Sequence, residues 1–314
     1  MNKRIALAGL ALAAVVAGAT AAEPKEVAVI VKTSNSNYWQ NVQRGAQSAI
    51  AAAPGYRLTF QGPASESAIA DQVGMVENAV HRKVAGIVLA PSDPDALVPA
   101  VRKAWEARIP VVIVDSAIAP AGQRYYQSFI ATDNEAAGEQ SAKALIDKIG
   151  TSGKIAVMSY VAGSGSEVAR VGGFKRYIAQ HSQLQIVGTY YSQSQMANAL
   201  NQTIDVLASH PDLKGVFGAN EPTAVGMGRA LAQSGKAGKV VGVGFDGNQD
   251  LRDFVKSGTL QATAVQDSYG MGAQGVTTLL QIIGGKKVPA RVNTGVVVVT
   301  RQNIDQPETA RVLY

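Results

Sequence analysis

Short runs of apolar and β-branched residues, bounded by polar residues or glycine, recur along the chain and predict β-strands. The first four runs occupy residues 27–31, 56–60, 84–89 and 111–114. Four further runs occupy residues 155–159, 184–188, 215–217 and 240–243, each about 128 to 130 positions after its counterpart. This regular offset predicts two halves with the same architecture.

Helical patterns lie between the runs, at residues 38–53, 67–81 and 95–107 in the first half and at 168–179, 196–208 and 222–233 in the second. The alternation of strand and helix at this spacing is typical of parallel βα units. A single eight-stranded sheet or a closed barrel would also fit it. Because each half opens with its own strand and helix, we favour an α/β fold of two similar, doubly wound, Rossmann-like domains.

The tail adds a strand pattern at 261–265, a helical pattern at 271–283 and a last strand at 296–299. These elements would let the chain cross back between the halves and complete both sheets, which makes a multi-strand hinge. The predicted division is a leader at 1–22, a first lobe at 23–131 with 267–293, and a second lobe at 132–266 with 294–314. The ligand is expected in the cleft between the lobes.

The first 22 residues have the pattern of a secretory signal peptide. Lys3 and Arg4 precede an apolar stretch at 5–16 and a zone of small residues at 19–22. The apolar stretch is shorter than the roughly 20 residues that a membrane anchor needs. We therefore predict cleavage after Ala21 or Ala22 and export to the periplasm.

Composition narrows the possible chemistry. The chain has no cysteine, which excludes disulfides, a thiolate nucleophile, a thiolate metal site and a lipid anchor on cysteine. Loss of the leader lowers the net charge from +6 to +4, and the remaining basic residues are scattered, so nucleic acid is not an expected partner. The three histidines, His81, His181 and His210, lie near predicted helix ends without metal-ligand spacing. We predict surface positions for them, with no metal and no cofactor.

Polar and aromatic residues gather just past the predicted strand ends, which is where open α/β sheets bind ligands. They include Lys32, Tyr38, Trp39, Asp115, Ser116, Asn220, Glu221, Phe245, Asp246 and Gln266. Carboxylates and amides bind hydroxyl groups, and an aromatic face covers the C–H side of a sugar ring. This mixture indicates a neutral, polyhydroxylated ligand. Both halves place a carboxylate after the fourth run, at Asp115 and Asp246.

Structural alternatives exist for several of these residues. Tyr38 and Trp39 could be the first turn of a helix packed on the sheet, Asp115 a helix N-cap and Asp246 a turn residue. Trp105 lies in mid-helix and is predicted to be a core residue. Residues 242–247 match GxGxxG, but they follow the eighth run instead of opening a unit, so we predict no dinucleotide site. Asp115 and Asp246 could also be the acid and base of a sugar enzyme, although nothing in their sequence context points specifically to catalysis.

Taken together, these residues resemble the periplasmic sugar-binding proteins of the ribose-binding type, which serve ATP-driven importers. The resemblance extends over nearly the whole chain after the leader. Its motifs are residues 35–39 with 44–46, 90–93, 109–112 leading to Asp115, 132–134, Arg170 before 173–174, 210–212, 219–221, 243–247 and Gln266.

The resemblance implies that Tyr38 and Trp39 stack on a sugar and that Phe245 covers one of its faces. It implies that the ligand hydroxyls bind to Asp115, Arg170, Asn220, Asp246 and Gln266.

Three residues depart from the pattern of ribose binders. Lys32 replaces a small hydroxyl residue, Ala90 an amide, and Ser116 an arginine. We therefore predict a neutral sugar or polyol other than ribose. Lys32 could supply the charge that the missing arginine would carry, and Glu221 could pair with Lys32 or Arg170 in the closed form.

The function so implied is that of a two-lobed clamp, the solute-binding protein of an ABC importer, which closes on its ligand by hinge motion. Its partners would be the sugar, the importer's membrane subunits and, in a signalling role, a chemoreceptor; we expect a monomer. A furanosyl quorum-sensing signal is an alternative ligand, and a carboxylate-based sugar enzyme is an alternative class. The effector domain of a sugar-responsive repressor would need an N-terminal helix-turn-helix, where this chain has a leader.

Overall fold

A computed structural model of the protein describes residues 23–314, so the predicted leader lies outside the described residues. The strands are β1 (Lys25–Ile30), β2 (Tyr56–Gln61), β3 (Gly86–Leu89), β4 (Val111–Val114), β5 (Ser128–Ala131), β6 (Ser152–Ser159), β7 (Gln183–Tyr191), β8 (Leu213–Gly218), β9 (Val241–Phe245), β10 (Leu260–Gln266), β11 (Arg291–Asn293) and β12 (Val296–Thr300).

The helices are α1 (Asn37–Ala51), α2 (Ile69–His81), α3 (Val98–Glu106), α4 (Asn134–Ile149), α5 (Gly165–His181), α6 (Met196–Ser209), α7 (Glu221–Gln233), α8 (Gln249–Ser257), α9 (Ser268–Ile283) and α10 (Pro307–Ala310). A 3-10 turn spans Pro120–Tyr125. Within residues 23–314, no helix combines the length and the apolar character needed to cross a bilayer.

The strands form two separate six-stranded sheets. The first has the order β11-β5-β4-β3-β1-β2 and is parallel throughout. The second has the order β12-β10-β9-β8-β6-β7 and is parallel except for β12, which pairs antiparallel with β10. Helices cover the faces of each sheet, so the central strands β3 and β4 are buried along their whole length. Two doubly wound domains are therefore confirmed, and the single sheet and the closed barrel are excluded.

The elements that pack around the first sheet, including α9, are called the first lobe, and those around the second sheet, including α4, the second lobe. The chain passes between the lobes three times. The passages lie between β5 and α4, between β10 and α9, and between β11 and β12. Asp133 and Asp267 stand in the first two passages and cap the helices that follow, accepting hydrogen bonds from Ala136 N and Gly270 N.

All eight strand runs and all six helical patterns correspond to elements, as do the three elements of the tail. The sequence patterns missed β5, β11, α4, α8 and α10. Helix α4 is rich in alanine, glycine and serine on its buried side, because it packs closely against α5. Small residues give a weak amphipathic pattern, so the helix escapes a search for large apolar positions.

The prediction for Trp105 is wrong. Its side chain is 44% exposed, since α3 ends one residue later and the indole lies on the outer face against Tyr125, with ring centroids 5.6 Å apart. The histidines follow the prediction: His81 and His181 are the last residues of their helices, and His210 is the C-cap of α6.

Two helix pairs meet at glycines in equivalent places of the two lobes. In the first lobe, a Cβ on Gly45 of α1 would clash with the backbone oxygen of Tyr269, and one on Gly272 of α9 with that of Val42. In the second lobe, Gly138 of α4 and Gly173 of α5 are in the same reciprocal relation. Each passage helix is thus held closely against the helix that follows the first strand of its lobe.

Candidate ligand-binding site

The residues past the strand ends of both lobes converge on one small cavity, here called the inner cavity. Its volume is about 20 Å³. The residues lining it are Lys32, Ser36, Tyr38, Trp39, Glu66, Asp115, Tyr160, Ser166, Arg170, Asn220, Glu221, Pro222, Asp246 and Gln266. Nine of the eleven residues predicted from sequence are among them.

The local backbone explains why the two aspartates point into the cleft. Asp115 follows β4 with φ 63°, and Asp246 follows β9 with φ 75°. Both backbone amides still donate to the neighbouring strand, at Ile130 O over 3.0 Å and at Ala264 O over 2.8 Å. The left-handed turn at the strand end therefore directs each carboxylate away from the sheet. Neither residue is a side-chain N-cap in the structure; the caps nearby are other residues.

Lys32 is the centre of a buried polar cluster. Its ammonium lies 2.8 Å from Asp115 Oδ2 and donates to Ser116 Oγ over 2.6 Å and to Ser166 Oγ over 3.0 Å. These contacts use all three donors of the ammonium group. Burial alone would raise the pKa of Asp115, but the Lys32 charge and its hydrogen bond lower that pKa overall. Since Ser166 belongs to the second lobe, Lys32 also bonds one lobe to the other.

Asp246 gathers donors from the second lobe. Its Oδ2 accepts from Glu221 N over 3.1 Å and its Oδ1 from Gln266 Nε2 over 2.9 Å. Burial raises the pKa of Asp246 to about 6, against the lowering effect of the Arg170 charge. Gln266 Oε1 is buried and has no hydrogen-bond donor within residues 23–314. A buried acceptor without a donor is costly, so it fits a site that receives a hydroxyl group.

Arg170 is held in a fixed orientation by its own lobe. It donates from Nε and Nη2 to Asn134 Oδ1 over 3.0 and 2.6 Å, and from Nη1 to Ala219 O over 2.6 Å. The guanidinium lies 3.6 Å from the centre of the Phe245 ring, which is a cation–π contact. Its charge favours the ionised forms of both Asp115 and Asp246.

Tyr38 and Trp39 are both core residues and cavity residues. They stand in the first turn of α1 with ring centroids 4.8 Å apart and planes at 86°, and both belong to the core of the first lobe. The Tyr38 hydroxyl donates to Asp115 Oδ1 over 3.1 Å, and Trp39 Nε1 donates to Glu66 Oε1 over 2.9 Å. The packing alternative is therefore confirmed, and both rings also border the cavity.

Two predicted residues do not line the inner cavity. Phe245 is fully buried beneath Arg170, which covers its ring, so its face is not available to a ligand in this arrangement. Ser116 stands behind Lys32 and donates to Asp115 Oδ2 over 2.8 Å. Glu221 pairs with neither Lys32 nor Arg170 among the described residues; its carboxylate accepts instead from Asn37 N over 3.1 Å and from the Tyr314 hydroxyl over 2.9 Å.

The sequence search missed five lining residues: Ser36, Glu66, Tyr160, Ser166 and Pro222. The rule that ligands bind past the carboxyl ends of the strands could have found at least three of them. Ser36 stands between β1 and α1. Tyr160 directly follows β6 and Glu66 lies in the loop after β2, so all three stand past the carboxyl end of a strand. Ser166 lines the cavity because it stands in the first turn of α5, which reaches the cleft. No local sequence pattern predicts that position. No group of acidic or histidine side chains in residues 23–314 is arranged to hold a metal ion.

The family model of the periplasmic binding protein domain matches residues 27–287. A solved ABC transporter solute binding protein from Agrobacterium vitis, with bound D-fucose, is 69% identical, has a TM-score of 0.92 and covers 92% of this chain and 100% of its own. A second structure from that organism, with bound α-D-tagatopyranose, is 30% identical with a TM-score of 0.88 and covers 92% of this chain and 99% of its own.

Among characterised relatives, the D-allose-binding periplasmic protein of Escherichia coli is 30% identical over 296 residues, which is 92% of this chain and 94% of the relative. The ribose import binding protein of the same organism is 31% identical over 296 residues, which is 94% of this chain and 97% of the relative. Fold, cleft and sequence agree, and the chain belongs to the periplasmic binding protein family, among its ribose-type members.

Proposed function

We propose that the protein is the solute-binding component of an ABC importer and that it holds one neutral monosaccharide in the inner cavity between its lobes. The observation that carries the proposal is the convergence of carboxylates, amides and three aromatic side chains from both lobes on one cavity. Relatives with the same architecture bind D-fucose, α-D-tagatopyranose and D-allose. These names support a sugar other than ribose as the first candidate.

The charges around the cavity support a neutral ligand. Four carboxyl groups, at Glu66, Asp115, Glu221 and Asp246, line the cavity with two cations, at Lys32 and Arg170. Burial raises the pKa of Glu221 to about 8, so three carboxylates still exceed the two cations at neutral pH. An anionic sugar acid or sugar phosphate would add to a buried surplus of negative charge, which is unfavourable. A neutral sugar donates its hydroxyl hydrogens to the carboxylates at no such cost.

We assign the ligand contacts to the cavity residues named from sequence, with two changes. Asp115, Arg170, Asn220, Asp246 and Gln266 bind hydroxyl groups, and Tyr38 and Trp39 contact the ring. Lys32 serves the site by ionising Asp115, because its three donors are already bonded; a direct bond to the sugar would have to replace one of them. Phe245 supports Arg170 from behind.

We further propose that the lobes are residues 23–131 with 267–293 and residues 132–266 with 294–314, which the membership of the two sheets supports. The family implies a periplasmic protein, and we propose that residues 1–22 are removed on export. In this role the protein acts as a monomer, presents the closed form to the importer and releases its sugar unchanged.

The test is calorimetric titration with D-fucose, D-allose, D-tagatose, D-arabinose, ribose and a furanosyl signal. We expect a saturable 1:1 isotherm with at least one of the sugars, and recovery of that sugar unaltered after incubation. Asp246→Asn keeps a residue that tolerates the left-handed backbone and removes a charged acceptor. Because a hydrogen bond to a charged group contributes roughly 1.5–3 kcal/mol, the affinity should fall about tenfold to a hundredfold.

Asp253→Asn is the matched control, since Asp253 is an exposed carboxylate on α8 whose hydrogen bond is to Gln249. Equal affinities of the Asp246 and Asp253 variants would contradict the site assignment. Chemical change of the bound sugar would contradict the assignment as a binding protein.

A further inference from the structure

Two carboxylates cross the cleft in opposite directions. Glu66, in the loop between β2 and α2 of the first lobe, accepts at Oε2 from Ser194 Oγ of the second lobe over 2.6 Å. Glu221, the first residue of α7 in the second lobe, accepts at Oε1 from the backbone amide of Asn37 in the first lobe over 3.1 Å. Both glutamates are buried. Each bond joins the two lobes, so neither can form while the lobes are apart.

The crossed carboxylates stand between two spaces in the cleft. On one side is the inner cavity, and on the other is a larger chamber of about 330 Å³ that opens to solvent, here called the outer chamber. Glu66 and Glu221 line both spaces. Ser194 and Asn37 line only the outer chamber, so the two bonds run along the partition.

Each carboxylate is held in place by a second bond. Trp39 Nε1 donates to the other oxygen of Glu66 over 2.9 Å. The Tyr314 hydroxyl donates to the other oxygen of Glu221 over 2.9 Å, while the Tyr314 amide donates to Gly247 O over 3.2 Å. The partition on the first-lobe side is therefore fixed to a ring of the proposed sugar site, and on the second-lobe side to Tyr314.

The local backbone and a hydrogen bond hold Ser194, the cross-lobe partner of Glu66, in position. Ser194 has φ 56° and follows Gln193, which has φ 57°. Two successive non-glycine residues in the left-handed region are uncommon and cost energy. Asn220 Nδ2 donates to Ser194 Oγ over 3.0 Å, which leaves the serine hydroxyl hydrogen for Glu66. The loop thus presents this hydroxyl to the opposite lobe.

We propose that Glu66 and Glu221 form a gate that closes behind the sugar and restricts the site to unsubstituted monosaccharides. A substituent directed at the outer chamber would occupy the path of the two bonds and keep the lobes from closing. The proposal rests on the proposed function and deepens it, because it assigns residues that set the upper size of the ligand.

The test compares ratios of affinities. The probes are D-fucose, its methyl α- and β-glycosides and its 3-O- and 4-O-methyl ethers, each titrated by calorimetry. For each protein we compare the Kd of a derivative with the Kd of D-fucose. A general weakening of lobe closure changes both values by the same factor and leaves their ratio unchanged. In the unaltered protein we expect every derivative to bind at least about tenfold more weakly than D-fucose. In Glu66→Ala, at least one derivative should regain about tenfold in this ratio.

Two further variants separate a gate from a merely structural role. Ser194→Ala removes the cross-lobe bond and leaves the Trp39–Glu66 bond in place, so it should raise the same derivative's relative affinity. Glu66→Gln keeps an acceptor of the same size and should retain the discrimination. Glu77→Ala is the control, because Glu77 is a carboxylate paired with Lys103 on the outer surface of the first lobe.

The gate is overturned if the unaltered protein binds the derivatives as tightly as D-fucose. It is also overturned if neither Glu66→Ala nor Ser194→Ala changes any ratio relative to the Glu77→Ala control. Failure of every monosaccharide to bind the unaltered protein would instead contradict the proposed function.

Discussion

The aspartate that ends the fourth strand of each half has the same backbone conformation in both halves. Asp115 and Asp246 both lie in the left-handed region, and each keeps its backbone bond to the adjacent strand. Aspartate tolerates this region better than most residues because its short side chain can interact with the local backbone. Because both lobes repeat this conformation and both aspartates line the same cavity, we infer that it serves the cleft and not the packing of one lobe.

Glu221 makes the stability of the protein depend on pH. Burial, reinforced by the charge of Asp246, raises the pKa of its carboxyl from 4.5 to about 8. Because the folded protein holds this proton more tightly than the unfolded chain, the resulting stabilisation is complete below pH 4.5 and is lost as the pH rises through 8. Asp246 loses its corresponding contribution lower, through about pH 6.

We therefore expect the free energy of unfolding to decrease between about pH 6 and 8.5, by at most about 1.4 kcal/mol per pH unit from this group. Glu221→Gln, which resembles the neutral acid, should show a smaller decrease, and Glu77→Gln the same decrease as the unaltered protein. Urea unfolding at several pH values across this range measures the decrease in the free energy of unfolding for each protein. Parallel curves for the Glu221→Gln and unaltered proteins would contradict the assigned pKa.

Residue identities in the site were largely predictable, but their contacts were not. The carboxyl-end rule and the resemblance placed Asp115, Asp246 and Gln266 correctly around one cavity. Neither the rule nor the resemblance could indicate that the three Lys32 donors would all contact protein atoms, or that Arg170 would cover Phe245. Such details depend on which side chains from distant segments meet, and periodicity along one segment carries no information about that.

At the scale of the elements, the closest packing in each lobe is between the helix that follows a passage and the helix that follows the first strand of the lobe. The reciprocal glycines bring the backbones of α4 and α5 together, and likewise those of α1 and α9. The strands of both sheets were predictable because buried parallel strands are apolar along their length. Helix α4 was not, because close helix approach selects small residues and weakens the amphipathic pattern.

Adjacent glycines in α5 provide a direct test of this packing. A Cβ on Gly173 would clash with the backbone oxygen of Glu135, whereas a Cβ on Gly172 has no atom within 4 Å. We expect Gly173→Ala to destabilise the protein by about 1–3 kcal/mol or more. Gly172→Ala should be neutral or stabilise it by up to about 1 kcal/mol, since alanine is the better helix former. Urea unfolding of the two variants compares them, and equal stabilities would show that the helices can move apart freely.

At the scale of the whole molecule, the closed cleft controls access. The inner cavity of about 20 Å³ is far smaller than the roughly 300–1,000 Å³ of typical small-molecule pockets. A sugar can therefore enter only when the lobes separate, and it gains contacts with both lobes only when they close again. The three passages between the lobes are the segments that must bend.

We expect small-angle X-ray scattering to show a larger radius of gyration for the sugar-free protein than for the protein saturated with D-fucose. Asp246→Asn, at a D-fucose concentration that saturates the unaltered protein but not this variant, should show little compaction. Identical scattering curves with and without bound sugar would contradict closure by hinge motion.

The three passages also determine when each lobe can fold. Helix α1 packs against α9, more than 200 residues later in the chain, and β5 pairs with β11. During synthesis, the first lobe therefore lacks a covering helix and an edge strand until almost all of the chain has been made, whereas the second lobe then lacks only β12 and the segment after it. Contacts so distant in sequence slow folding. The nascent first half consequently exposes the apolar surface that α9 later covers, and it is the part of the protein that most needs protection from aggregation before the chain is complete.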